Sequence, residues 1–222
     1  MNKLVKTAEL FASQPEYIAP LFEGCEYPWE ILPKIKGYVK DLIEKGIPGY
    51  TLIADGVLVG ENVKIYPTAT IEAPAIIGSG SEVRPGAFIR GSVLVGENCV
   101  VGNSTELKNC ILFDNVQVPH YNYVGDSILG YKSHMGAGSI TSNVKSDKTL
   151  VVIKNYDGER LETGRKKVGA MLGDFVEVGC GSVLNPGTVI GRNASVYPLS
   201  SVRGVVPEGH IYKKQGEVVE RI

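Results

Sequence analysis

Apolar residues recur at every sixth position along most of this chain. From Val59 the series runs through Ile65, Ile71, Ile77, Val83, Ile89, Val95, Val101 and Leu107 to Phe113. It resumes at Leu129 and Met135, and again from Leu172 through Val178, Leu184, Ile190 and Val196 to Val202. Four residues after most of these stands a small or β-branched residue, such as Ala69, Ala87, Thr105 or Ala194, and the residue just after is often Gly, as at Gly60, Gly78, Gly102, Gly136 and Gly191. A period of six fits neither an amphipathic helix at 3.6 nor a bare alternating strand, but it is a multiple of two. Each hexad therefore reads as a short strand and a corner. Three such faces close one coil, with the aliphatic residue on the axis and each coil stacked on the last. The Gly is expected to supply a corner conformation that a Cβ would obstruct.

Residues 1–50 keep a different rhythm. Leu32, Ile35, Val39 and Leu42 follow helical spacing, Pro28 and Pro33 stand near the start, and Gly46 and Pro48 end the run, which predicts a helix from about Pro33. Leu4, Ala8 and Phe11 suggest a shorter helix before it. The segment is expected to cap the first coil, with Trp29 as a packing residue, and residues 51–222 to form the solenoid. Two interruptions break the hexads. Pro119 to Ser127 falls out of frame. At 144–167, TLVVIKNYDGERLETG sets two β-prone runs around Asn155-Tyr156-Asp157-Gly158, which reads as a hairpin arm. An arm of that length is expected to pack on a neighbouring subunit.

Composition agrees with a rigid aliphatic solenoid: 27 Gly and 12 Pro accompany 43% hydrophobic but only 8% aromatic residues. With 23 Lys and Arg against 24 Asp and Glu, no general attraction to nucleic acid or an anionic membrane is expected, so any anion site is local. Cys25, Cys99, Cys110 and Cys180 form no CxxC pair and read as reduced thiols. The N-terminus carries Glu9 and Glu16 in place of an apolar leader and no later stretch has the length of a membrane span, so a cytoplasmic protein is expected.

Three His are present, His120, His134 and His210. A neutral imidazole is suited to remove a proton near pH 7, and His120, inside the first interruption beside Tyr121 and Tyr123, is the candidate base. Arg90 and Lys108 lie eighteen residues apart, one turn of a three-sided coil, and so stack on one face.

The stretch VPHYNYVGDSILGYKSHMGAGSITSN, residues 118–143, resembles the acetyltransferase domain of the bifunctional N-acetylglucosamine-1-phosphate uridylyltransferases, notably in His-x-x-Tyr-x-Gly-Asp and Gly-Ala-Gly-[Ser/Thr]-Ile-Thr-x-Asn. GRKKVGAMLGDFVEVGCGSVLNPGTVIG, residues 164–191, is closer to the archaeal sugar-1-phosphate nucleotidylyltransferase/acetyltransferases. The resemblance, over roughly residues 51–212, implies a left-handed parallel β-helix, a homotrimer, and N-acetylation of an amino-sugar phosphate such as glucosamine-1-phosphate, or a related sugar nucleotide, from acetyl-CoA. It places the catalytic base on His120 and substrate contacts on Arg90, Lys108, Tyr123, His134 and Lys167, with Lys145 or Lys148 as alternatives to Lys167. Acetyl-CoA contacts fall on Ala137, Asn143, Val144, Cys180 and Pro198. The family commonly has Asn at His134 and small residues at Cys180 and Pro198. No metal is implied, and residues 1–50 hold no Gly-rich sugar-nucleotide start motif, so a UDP-sugar is not an expected product of this chain alone. Two other readings keep the solenoid: a non-catalytic scaffold or regulatory subunit, and a gamma-class carbonic anhydrase-like zinc protein. The second wants a close His pair that His120 and His134, fourteen residues apart, do not supply.

Overall fold

The computed structural model describes residues 5–12, 14–155, 157–214 and 217–220. Leu4 of the early helical pattern and Tyr156 of the arm's turn lie outside them. Short strands stack in parallel, coil on coil, and their registers define three faces. The first carries Lys64–Ile65, Glu82–Val83, Val100–Asn103, Gln117–His120, His134–Met135, Glu177–Val178 and Ser195–Val196. The second carries Thr70–Glu72, Phe88–Arg90, the starts of Glu106–Leu112 and Tyr123–Leu129, Ile140–Thr141, Val183–Leu184 and Ser201–Val202. The third carries Val57–Val59, Ala75–Ile77, Val93–Val95, the ends of the two long strands, Ala170–Leu172, Thr188–Ile190 and Val205–Val206. This is the mainly β hexapeptide-repeat helix expected from the periodicity. Its axis is filled by fully buried Ile77, Val83, Ile89, Val95, Val101, Leu107, Leu129, Leu172 and Leu184. Each such side chain contributes about 1.5–3 kcal/mol by leaving water.

Three expectations are corrected. The first interruption continues the stack as a shortened coil. Register shortens from 18 residues (Phe88 to Glu106) to 17 (Glu106 to Tyr123, Tyr123 to Ile140), because the steps Leu107 to Leu112 and Val124 to Leu129 each lack one residue. Between Ile89 and Val95 two residues, Gly91 and Ser92, take positive φ, whereas Asn109 alone and Asp126 alone turn the shortened corners. The long strands run through these corners and join the second and third faces into one 14-stranded sheet. Leu112, in register with Val95, therefore takes the inward place that the six-residue count gives to Phe113. Phe113 packs instead against Phe11 and Phe22, at ring distances of 5.0 and 5.7 Å.

The Gly after each axial residue does not turn the corner. Gly136 has no positive φ, yet a Cβ there would stand 2.7 Å from the Cys180 backbone nitrogen of the next coil. These glycines let coils approach, while residues two further along, such as Asn62, Gly80, Lys132 and Gly138, take the left-handed conformation. The third correction concerns the N-terminal segment. Helix Ile35–Lys45 packs against Ala75–Ile77, Val93–Val95 and Glu106–Leu112, and Phe22 of helix Ala19–Phe22 meets Phe113, so the segment with its first helix Thr7–Leu10 flanks several coils. Asp174, far along the solenoid, accepts the Ala12 N–H at 2.8 Å and donates its own N–H to Leu10 at 3.0 Å. Gly46, at φ 73°, ends the main helix, and Trp29 is buried and stacked on Tyr27 at 4.7 Å, a packing residue.

The arm is a hairpin of Val152–Lys154 against Arg160–Glu162. One face of it docks on the coils of its own chain. Val151 and Ile153 are buried, and their side chains lie over Gly187, where a Cβ would come within 2.7 Å of Val151 Cγ1. Only a residue without a side chain leaves room for that pair. Among the described residues, no helix is long and apolar enough to cross a membrane.

Candidate active site

The residues singled out from the sequence fall into four places. The first is a column at the corner between the first and second faces. Backbone bonds climb it from coil to coil: Tyr121 N–H to Asn103, Gly138 N–H to His120, Gly181 N–H to Ala137 and Leu199 N–H to Cys180, at 2.8–3.0 Å. His120, Ala137, Cys180 and Pro198 therefore occupy equivalent positions on successive coils, about 4.8 Å apart. All four are exposed, so an imidazole stands at the head of a stripe of small, apolar side chains. Among the described residues, nothing hydrogen-bonds the His120 ring. Its backbone is fixed by buried Asn122, whose Oδ1 accepts the His120 N–H at 3.1 Å and whose Nδ2 donates to the Gly136 and Ser139 carbonyls at 2.9 and 3.0 Å.

The second place is the outer surface of the second face. Register sets Glu72 beside Arg90 and Lys108 beside Gly125; Lys108 follows the pairs Phe88 to Glu106 and Ile89 to Leu107, so the stacking of Arg90 and Lys108 read from their spacing is present. Arg90 is not a free cation. Glu106 Oε1 accepts from its Nη1 at 2.7 Å, and this bond, with the Glu106 charge, holds the guanidinium pKa above its usual value. Glu106 lies next to Tyr123, whose phenol is held above its ordinary pKa by burial first and then by the charge of Asp126.

The third place is the corner between the second and third faces. Buried Asp126 accepts from Asn109 Nδ2 at 2.8 Å and from Asn143 Nδ2 at 2.6 Å, a ladder of one side chain per shortened coil. The same Asn143 amide donates to the Tyr123 hydroxyl at 3.3 Å, so the ladder orients both residues. Beyond it the arm departs. Val144 and Lys167 bridge its foot in an antiparallel pair, and Lys167, with Asp126, Arg165 and Lys166, lines a groove of about 390 Å³.

His134 joins none of these groups. It lies on the first face, three residues before Ala137, with Nδ1 2.8 Å from Glu177 Oε2. Among the described residues no three His, Cys, Asp or Glu come close enough to hold a metal ion. The sequence reading assigned no role to Glu106, Asn122, Asn109 or Asp126. Asp126 was visible within the His-x-x-Tyr-x-Gly-Asp run, but linking it to Asn109 and Asn143 requires a period of 17.

The GMPPB C-terminal domain family matches residues 71–155. "Bifunctional protein GlmU" of Methanococcus maripaludis is 35% identical over 225 residues, which is 100% of this chain and 54% of that protein. The "Bifunctional sugar-1-phosphate nucleotidylyltransferase/acetyltransferase" of Sulfurisphaera tokodaii is 31% identical over 198 residues, 84% of this chain and 47% of that protein. The chain thus spans about half the length of these relatives. A single-residue mutant of AntD, an N-acyltransferase from Bacillus cereus solved in complex with dTDP and Coenzyme A, superposes at a TM-score of 0.47 with 17% identity, over 79% of this chain and 91% of that chain.

Proposed function

We propose that this chain, which belongs to the hexapeptide-repeat family of the GlmU-like bifunctional proteins, transfers an acetyl group from acetyl-CoA to the amine of an amino-sugar phosphate or related sugar nucleotide. The observation that carries this reading is the exposed column of His120, Ala137, Cys180 and Pro198, which adjoins the face bearing Arg90 and Lys108. A stripe of small residues suits an extended pantetheine chain, and cations suit a phosphate. His120 takes the proton as the amine attacks the thioester carbonyl; the carbon–sulfur bond then breaks and the coenzyme thiol leaves. The Gly138 N–H is committed to the His120 carbonyl, which leaves the Ala137 N–H as the donor toward the tetrahedral oxyanion. Cys180 lines the stripe and no acyl-enzyme is required.

In this reading Tyr123, Asn143 and Val144 border the reacting centre, Lys167 adds a substrate-side cation, and His134 meets the sugar only if the bound substrate reaches across the first corner. Residues 51–222 act as the catalytic unit, carrying the 144–167 arm, with residues 1–50 as its helical flank. The functional unit is a homotrimer in which one subunit's stripe faces another's Asn143 corner. A thiol-release assay with acetyl-CoA against glucosamine-1-phosphate, galactosamine-1-phosphate and UDP-amino sugars tests the reading. Turnover with at least one acceptor is expected. No turnover with any of them, or full activity after His120→Ala, would sink it.

A further inference from the structure

The docked arm encloses a second cation-lined space, far from Arg90 and Lys108. Residues 144–167 hold seven Lys and Arg against four Asp and Glu, in a chain whose net charge is −1. Between the arm and the last coils lies a cavity of about 400 Å³ lined by Lys145, Lys154, Arg160 and Arg203, with Val152 and Pro186 as apolar walls. Lys154 and Arg160 are direct cross-strand partners, so two cations face each other on one side of the hairpin, an arrangement that destabilises a sheet when nothing else intervenes. Lys145 has a carboxylate 3.2 Å away, on Asp147; among the described residues Lys154, Arg160 and Arg203 have no ion-pair partner. The walls are closely fitted: at Gly204 a Cβ would stand 2.8 Å from the Lys154 carbonyl.

Arg203 continues the outward column of the second face. It follows Val202, which is in register with Leu184, and the column descends through Asn185, Ser142 and Gly125 to Lys108. That is four coils, roughly 19 Å at ~4.8 Å per coil. A single sugar phosphate held at Arg90 and Lys108 does not reach Arg203. The volume is within the range of roughly 300–1,000 Å³ usual for small-molecule pockets. We propose that this cavity binds the phosphates of a nucleotide, with Lys154, Arg160 and Arg203 on the phosphate oxygens and Val152 and Pro186 against the nucleoside. The nucleotide is either the adenosine end of the acyl donor, an assignment that rests on the acetyl-transfer reading, or that of a nucleotide sugar; both present the same phosphate chemistry.

Titration calorimetry on the whole chain at low salt distinguishes them, with adenosine 3′,5′-bisphosphate and UDP as probes. At least one binds, and the tighter of the two assigns the source. Its Kd rises about tenfold or more in Lys154→Ala/Arg160→Ala and in Arg203→Ala, as expected for lost charge-assisted bonds, and rises with added salt. Glu162→Gln, on the same hairpin but outside the cavity lining, leaves it unchanged. The cation variants alter side chains on the arm and at the surface, and a thermal melt checks that each is folded. Binding of neither nucleotide, equal affinity in the cation variants, or an equal loss in Glu162→Gln overturns the proposal. The readout needs no turnover, so an inactive chain can still bind and an active one can still fail to.

Discussion

The two corners that flank the second face are built on opposite plans. At the His120 corner, main-chain bonds carry the stacking, Asn122 pins the turn from inside, and the side chains of His120, Ala137, Cys180 and Pro198 project outward without structural duty. At the Asn143 corner the strand pairing runs on through the turn and side chains add their own support to it. Asn109, Asp126 and Asn143 turn inward upon one another, and the shortened coils leave one left-handed residue where the regular corner between Ile89 and Val95 has two. A corner held by its backbone is free to carry exposed chemistry; a corner whose side chains also bond one another can only orient its neighbours.

Substitutions can break that contrast. The largest effect is expected from His120→Ala: acetyl transfer falls by about 10²–10⁴-fold, the usual contribution of a general base, while the melting temperature stays near that of the parent. A matching loss of stability would mean that the exposed imidazole supports the fold. Asp126→Ala should act the other way round. It removes two hydrogen bonds, leaves the Asn109 amide without its acceptor and leaves Asn143 only the Tyr123 hydroxyl, for a loss of about 3 kcal/mol in urea unfolding. A change below about 1 kcal/mol would show that the ladder adds no support to its corner.

A smaller effect separates the two cysteines that mark these corners. Cys110 is fully buried and burial raises its thiol pKa, whereas Cys180 is exposed. The unfolded chain releases the Cys110 proton from about its ordinary value of 9.0 upward while the folded chain retains it, so this contribution is intact below that pH and declines as pH rises above it. The slope is at most about 1.4 kcal/mol per pH unit and should shrink in Cys110→Ser. A thiol reagent at neutral pH should modify Cys180 rapidly and Cys110 only on unfolding; equal rates would refute the sealed corner. Smallest of all is Gly181→Ala. Its φ of +68° and a Cβ 2.8 Å from the mobile end of Leu199 predict a loss of about 1 kcal/mol, with the column intact.

What was legible in the sequence follows the same division. Arg90 and Lys108 could be stacked from their spacing because both lie before the first shortened corner, where 18 residues make one coil. Past it the count of six misleads: Ile111, Leu112 and Phe113 are all apolar, so periodicity cannot choose among them, and only the register shows Leu112 on the axis. The His120 column was named residue by residue from resemblance, but its alignment depends on one step of 17 and one of 43. Two β-prone runs around a turn announced the hairpin of the arm. They could not say that one of its faces meets Gly187 of the same chain, because docking onto a bare backbone leaves no apolar signal at the receiving position.

The register around that arm has a consequence for how such a chain can be altered. Coils on either side of it are 43 residues apart, where an uninterrupted coil takes 18, yet Tyr123–Leu129 and Ala170–Leu172 pair as closely as any neighbours. Closing a loop of 43 rather than 18 residues costs only about 0.8 kcal/mol, since the penalty grows with the logarithm of length. The corner after Asn143 is therefore a splice point at which a graft of some two dozen residues is absorbed for about RT. One appendage could be exchanged for another there without disturbing the order of the stack.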